Sequence, residues 1–160
     1  MGDVVAIGSF AGNLYLLDKE KGTIYKYQGS QGEKRNYLAS DVHPDFGNAA
    51  SMAIDGAIWV LFSDGRVTKF IQGVPESLTL QGLDTPLSSP TVLYTDDESD
   101  QLYILDKGNK RVVVAKKDGT YSSQYVWEGI KDVTDIVASE KEKKIFLLSG
   151  SKIYVIATSN

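Results

Sequence analysis

Leu102-Tyr103-Ile104-Leu105 is the stretch on which the fold turns. The same pattern stands at Leu14-Tyr15-Leu16-Leu17, Ile58-Trp59-Val60-Leu61 and Ile145-Phe146-Leu147-Leu148. The first residues of the four copies are separated by 44, 44 and 43 positions. In register, the first residue is Leu or Ile, the second aromatic, the third aliphatic and the fourth Leu. Agreement at four positions in four places is an internal repeat, and a period of this size decides architecture before local propensity does.

Each copy is a short, nearly unbroken apolar run, the pattern of a strand buried on both faces. A second run follows each, at Thr23–Tyr27, Arg66–Ile71, Arg111–Ala115 and Lys152–Ala157. Ser63-Asp64-Gly65-Arg66 joins two such runs, and Asp-Gly tolerates the positive φ of a type I′ hairpin turn. Nine residues before each main run stands an apolar residue of a weaker stretch: Val5, Ala49, Leu93 and Ile136. A fourth strand is read at Lys34–Ala39, Ser77–Leu80 and Gln124–Trp127, and none follows the last copy. No segment carries the apolar period of an amphipathic helix.

The unit is thus four short antiparallel strands in about 44 residues. One such sheet cannot bury both faces alone, whereas copies stacked face to face can. The sequence predicts an all-β fold, a β-propeller of four-stranded antiparallel blades in one domain over residues 1–160. The blades fall at about 4–47, 48–90, 91–134 and 135–160, the last lacking its outer strand. Tyr15, Trp59, Tyr103 and Phe146 are assigned to equivalent positions in the inter-blade core.

Within the β-propeller superfamily the chain most resembles the NHL-type repeat. The third copy carries the likeness, in Leu102-Tyr103-Ile104-Leu105-Asp106-Lys107-Gly108-Asn109-Lys110-Arg111-Val112-Val113-Val114 followed by Asp118-Gly119. Asp106, Asn109, Arg111 and Gly119 match the NHL pattern. The first copy keeps Asp18 and Gly22 but has Thr23 where Arg would stand, and Phe62 and Ser149 replace the Asp in the second and fourth. The Gly-His and Trp-Asp landmarks of WD40 repeats and the double glycines of kelch repeats are absent. The resemblance implies a non-catalytic platform for protein or RNA partners, in bacteria often a sensor or scaffold module. It also implies a ring of more than four blades. Two chains pairing as a homodimer, or a longer propeller, meet that need, and a closed four-bladed monomer is the competing arrangement. The unpaired edge of the last blade, Ile153, Tyr154, Val155 and Ile156, is the expected site of self-association.

Composition narrows the chemistry. The chain has 160 residues, 42% hydrophobic and 24% charged, which is ordinary for a folded domain. Without Cys it has no disulfide, thiolate nucleophile or cysteine-bound zinc, and a single His excludes a two-imidazole site in one chain. A net charge of −4 disfavours nucleic acid, which is held by clustered cations. No apolar run is long enough for a membrane span. Met1-Gly2-Asp3 opens no signal-peptide pattern, and the compartment stays open.

Chemical candidates are few. His43-Pro44-Asp45 joins an imidazole to a carboxylate, though an exposed or loop-stapling His is the plainer reading. Asp96-Asp97-Glu98-Ser99-Asp100 fails as a calcium loop, because Gln101 and Lys107 stand where Gly and Glu are required. Glu140-Lys141-Glu142-Lys143-Lys144 reads as a solvated turn. Gly29-Ser30-Gln31-Gly32 is too short for a phosphate loop and opens no helix. Asp106 and Arg111 flank a hairpin and are expected to pair locally or to cap turn amides. The inter-blade loops offer Asp41, His43, Asp45, Asp84, Asp132 and Asp135 as a candidate binding face. No catalytic residue, metal ligand or cofactor is assigned. The expected function is a non-enzymatic binding or scaffold module for a protein or peptide partner, self-associating to complete a larger ring. The alternatives are a lyase or hydrolase with acidic channel residues, and a repeat fragment whose main property is self-assembly.

Overall fold

The computed structural model describes residues 2–29 and 32–158. Ser30 and Gln31, the middle of the Gly29–Gly32 segment, lie outside the described residues. Among the described residues fifteen strands form four antiparallel meanders, with one 3-10 turn at Glu128–Asp132. Blade 1 comprises β1 (Val4–Phe10), β2 (Asn13–Asp18), β3 (Thr23–Gln28) and β4 (Glu33–Asn36). Blade 2 comprises β5 (Ala49–Ile54), β6 (Ile58–Phe62), β7 (Val67–Ile71) and β8 (Val74–Leu78). Blade 3 comprises β9 (Pro90–Tyr94), β10 (Gln101–Asp106), β11 (Arg111–Lys116) and β12 (Tyr121–Val126). Blade 4 has three strands, β13 (Asp135–Ser139), β14 (Lys144–Ser149) and β15 (Lys152–Ala157). This is a four-blade β-propeller arrangement.

The four repeated runs are the second strands, and their alternation assigns each residue to a neighbour. Second and fourth positions face the next blade, and first and third face the previous one. Tyr15 and Leu17 therefore pack with Ile58 and Val60. Trp59 and Leu61 pack with Leu102 and Ile104. Tyr103 and Leu105 pack with Ile145 and Leu147. These three clusters are the core, and full burial of each large side chain contributes about 1.5–3 kcal/mol. None of them joins blade 4 to blade 1 among the described residues.

The hairpins refine the sequence reading. Gly65 alone has positive φ, at 93°, and its N–H bonds the Phe62 carbonyl at 3.0 Å. The Asp64-Gly65 connection is accordingly a turn ending in a left-handed glycine, not a type I′ turn, which needs positive φ at both central residues. Gln72-Gly73, with φ of 49° and 82°, meets that requirement between Ile71 and Val74. The outer strands β4, β8 and β12 begin earlier than Lys34–Ala39, Ser77–Leu80 and Gln124–Trp127. β4 and β8 are largely exposed and β12 is mostly half-buried, so no continuous apolar run marks their start.

Candidate functional site

Three kinds of surface are shaped by this architecture: a concave centre, two end faces and, among the described residues, one free strand edge. The inner strands β1, β5, β9 and β13 line a central concavity of about 670 Å³. Small residues let these strands approach, since a Cβ on Gly8 would lie 2.9 Å from Ile54 Cδ1. The Leu93 N–H donates to Ser51 Oγ at 3.1 Å and clasps β9 to β5. Thr91 Oγ1 is buried and finds no hydrogen-bond partner among the described residues.

The end faces are mostly apolar and, among the described residues, have no blade packed on them, although Leu16 is itself buried at 8% exposure. On blade 4, Val137, Phe146 and Val155 form one cross-strand row, and Asp135, Leu148 and Ile153 the next. On blade 1 the outward rows are Ile7–Leu16–Tyr25 and Ser9–Leu14–Tyr27. Trp59 is 0% exposed, whereas Ile153 is 68%, Ile7 65% and Val155 53%. Tyr15, Trp59 and Tyr103 sit between blades, while Phe146 occupies the equivalent position on the uncovered face and is only half-buried.

Asp106, Asn109 and Arg111 form a polar network at the base of blade 3. Asp106 Oδ2 accepts from Arg111 Nε at 2.7 Å and from Asn109 Nδ2 at 2.8 Å, and Oδ1 accepts from the Ser88 N–H at 2.8 Å. Arg111 further donates to Gln124 Oε1 at 2.8 Å and to the Thr85 carbonyl at 2.6 Å. The network ties the loop between blades 2 and 3 to the β10–β11 hairpin. Asp18 holds the corresponding place in blade 1 and accepts from the N–H groups of Gly2 and Lys21 at 2.7 and 3.0 Å. Burial, the largest single influence, raises the Asp18 pKa, but the Gly2 and Lys21 donors together with the N-terminal charge and the Asp3 amide hold the carboxyl below its ordinary value.

The loop carboxylates are spread out. Asp41, His43, Asp45, Asp84 and Asp132 are exposed on the inter-blade connections. Asp45 Oδ1 caps the Gly47 N–H at 2.8 Å. Asp135 is the first residue of β13 and borders both the central concavity and the open face of blade 4. No group of three or more His, Cys, Asp or Glu that could hold a metal ion occurs among the described residues. The Asp96–Asp100 turn is instead joined to blade 4, where Glu140 Oε1 accepts from Ser99 Oγ at 2.6 Å and the Asp100 N–H at 2.9 Å. Among the described residues no helix is long and apolar enough to cross a membrane.

Two features have no counterpart in the sequence reading. Lys117 Nζ lies 2.7 Å from Asp55 Oδ2, whose other oxygen takes the Trp59 Nε1–H at 2.9 Å, so one carboxylate joins blades 2 and 3. Trp127 and Tyr154 pack with ring centroids 4.8 Å apart and planes tilted by 55° at the outer side of blades 3 and 4. The uncovered end faces were themselves readable: a signal lay in the phase of the repeat, which leaves Leu14 and Phe146 facing away from the stack.

No protein-family model and no curated protein matches the chain. Solved structures do. A chain of a nidogen/laminin complex is similar with TM-score 0.70 at 15% identity, over 96% of this chain and 60% of that one. A streptogramin B lyase gives TM-score 0.62 at 17% identity, over 98% of this chain and 55% of the lyase. The computationally designed Ika4 protein gives 0.65 at 14% identity, over 99% and 93%. The chain thus spans little more than half of the lyase and nidogen-complex chains. These likenesses establish the β-propeller fold. In the third blade the residues that carry the NHL resemblance, Asp106, Asn109 and Arg111, meet in one hydrogen-bonded network.

Proposed function

We propose that this chain is a non-enzymatic scaffold, a stack of four blades that binds protein and completes a larger ring with a second copy. The observation that carries this reading is the complementarity of its two uncovered faces. Phe146 and Leu148 stand in the phase of Trp59 and Leu61, and Leu14 and Leu16 in that of Ile58 and Val60. Blade 4 of one copy therefore offers blade 1 of another the kind of contact that already joins neighbouring blades. Two copies set head to tail form it twice and leave neither face in water. The similarity to a chain from a nidogen/laminin complex supports protein as the class of further partner, met by the loop face of Asp41, His43, Asp45, Asp84 and Asp132.

The absence of native Cys permits a direct test. In a Leu14→Cys/Phe146→Cys variant, mild oxidation is expected to give a covalent two-chain species. Disulfide-linked monomer would instead mean that the four blades close on themselves, and an uncrosslinked product would remove the paired-face contact altogether.

A further inference from the structure

Blades 1 to 3 each end on an outer strand, whereas among the described residues β15 has β14 on one side and no strand on the other. The hairpin pairs Ser149 with Lys152 across a two-residue turn, and at its far end the Thr158 N–H bonds the Lys143 carbonyl at 2.9 Å. Antiparallel alternation between those ends turns the N–H and C=O groups of Ile153, Val155 and Ala157 away from β14. Beside this edge, Ser123 and Tyr125 of β12 face blade 4 and, with Lys143 and Thr158, line a groove of about 460 Å³. Trp127 and Tyr154, each 38% exposed, touch across the same seam between β12 and β15.

The groove continues the interface between blades 3 and 4. At the preceding seam the outer hairpin makes the corresponding contact, since Gln81 exchanges backbone hydrogen bonds of 2.9 Å with Gly119 and Tyr121. We propose that the groove takes an extended segment of a partner protein, five or six residues long like β8 and β12, which adds to β15 as an antiparallel strand. Its inward side chains are uncharged. The residues of β8 and β12 that face the preceding blade are Pro75, Ser77, Tyr121, Gln124 and Val126. The charged groups lining the groove are Lys143 and Glu140, which offset each other, and Glu140 is already engaged by Ser99 and Asp100. The inference rests on the reading of the chain as a protein-binding scaffold, but it uses a strand edge and not the end faces.

The probe is the synthetic peptide Tyr-Ser-Ser-Gln-Tyr-Val, the sequence of β12. Trp59 is fully buried, so a change in tryptophan emission on titration reports Trp127. Saturable binding is expected, with amide exchange at Ile153, Val155 and Ala157 slowed at least roughly tenfold, as strand pairing requires. A peptide N-methylated at alternate residues, tested on the unaltered protein, is expected to lose this protection, and a Tyr125→Lys variant to bind at least about tenfold more weakly. Unchanged exchange at the three amides at millimolar peptide would overturn the inference, as would equal binding of the N-methylated peptide. Cross-linked dimer without peptide binding would sink this inference alone. Peptide binding without cross-linking would leave it standing while removing the ring.

Discussion

Arg111 Nε donates to Asp106 Oδ2 at 2.7 Å with both side chains withdrawn from water, 5% and 0% exposed. The pair is fully furnished with further partners, which is the condition under which a buried ion pair is tolerated. Removing one member strands the other. Asp106→Ala is expected to cost about 3–5 kcal/mol in urea unfolding. Arg111→Lys keeps the charge but not the planar fork that reaches Gln124 and Thr85 together. It should speed amide exchange at Ser88, whose N–H is held by the same carboxylate.

Equivalent aromatics should have unequal energetic weight. Trp59 lies between two blades and Phe146 on an end face. Trp59→Ala is expected to cost about 3–5 kcal/mol at any protein concentration. Phe146→Ala should cost under about 1 kcal/mol in dilute solution and more as concentration rises, because its partner face belongs to another copy. Unfolding midpoints across a dilution series separate the two.

Acid should weaken blade 1 through Asp18. Burial raises its folded-state pKa, but the Gly2, Lys21 and Asp3 amides and the N-terminal charge together lower it below the ordinary value. A lowered folded pKa contributes stability above the unfolded value, and that contribution is lost as pH falls through the folded one. Asp18→Asn should therefore flatten the decline in unfolding midpoint between about pH 4 and pH 2. An unchanged acid limb in the variant would count against this role.

Alkali should act at the other seam. Burial, followed by the charge of Glu140, pushes the Tyr103 phenol up to about 12. A raised folded pKa means stability present below the unfolded value of about 10 and lost as pH rises towards the folded one. Tyr103→Phe is expected to reduce the loss of stability over that window, measured by urea unfolding at stepped pH.

The repeat made the blades legible because Ile58–Leu61 and Leu102–Leu105 are buried on both sides, and the runs of blades 1 and 4 keep the same apolar pattern although one face of each has no blade against it. The outer strands were harder to place. Glu33–Asn36 is wholly exposed, so its residues answer to solvent rather than to a neighbour. Asp106 and Arg111 were legible as a local pair, but their reach to Thr85 and Ser88 depends on how the loop between blades returns. The candidate loop face was legible only as exposure. Asp41, His43, Asp45, Asp84 and Asp132 come from three connections whose relative placement no spacing encodes. Asp135 belongs to β13, where the repeat already had Ile136 as its marker.

Solution mass by light scattering, followed over a hundredfold dilution, tests the central claim most directly. The account predicts a two-chain mass, near twice 17.5 kDa, that persists to low concentration in the unaltered protein. Phe146→Asp, which places a carboxylate on the uncovered face of blade 4, should shift it to one chain. A mass of one chain at every concentration, unchanged by Phe146→Asp, would contradict it.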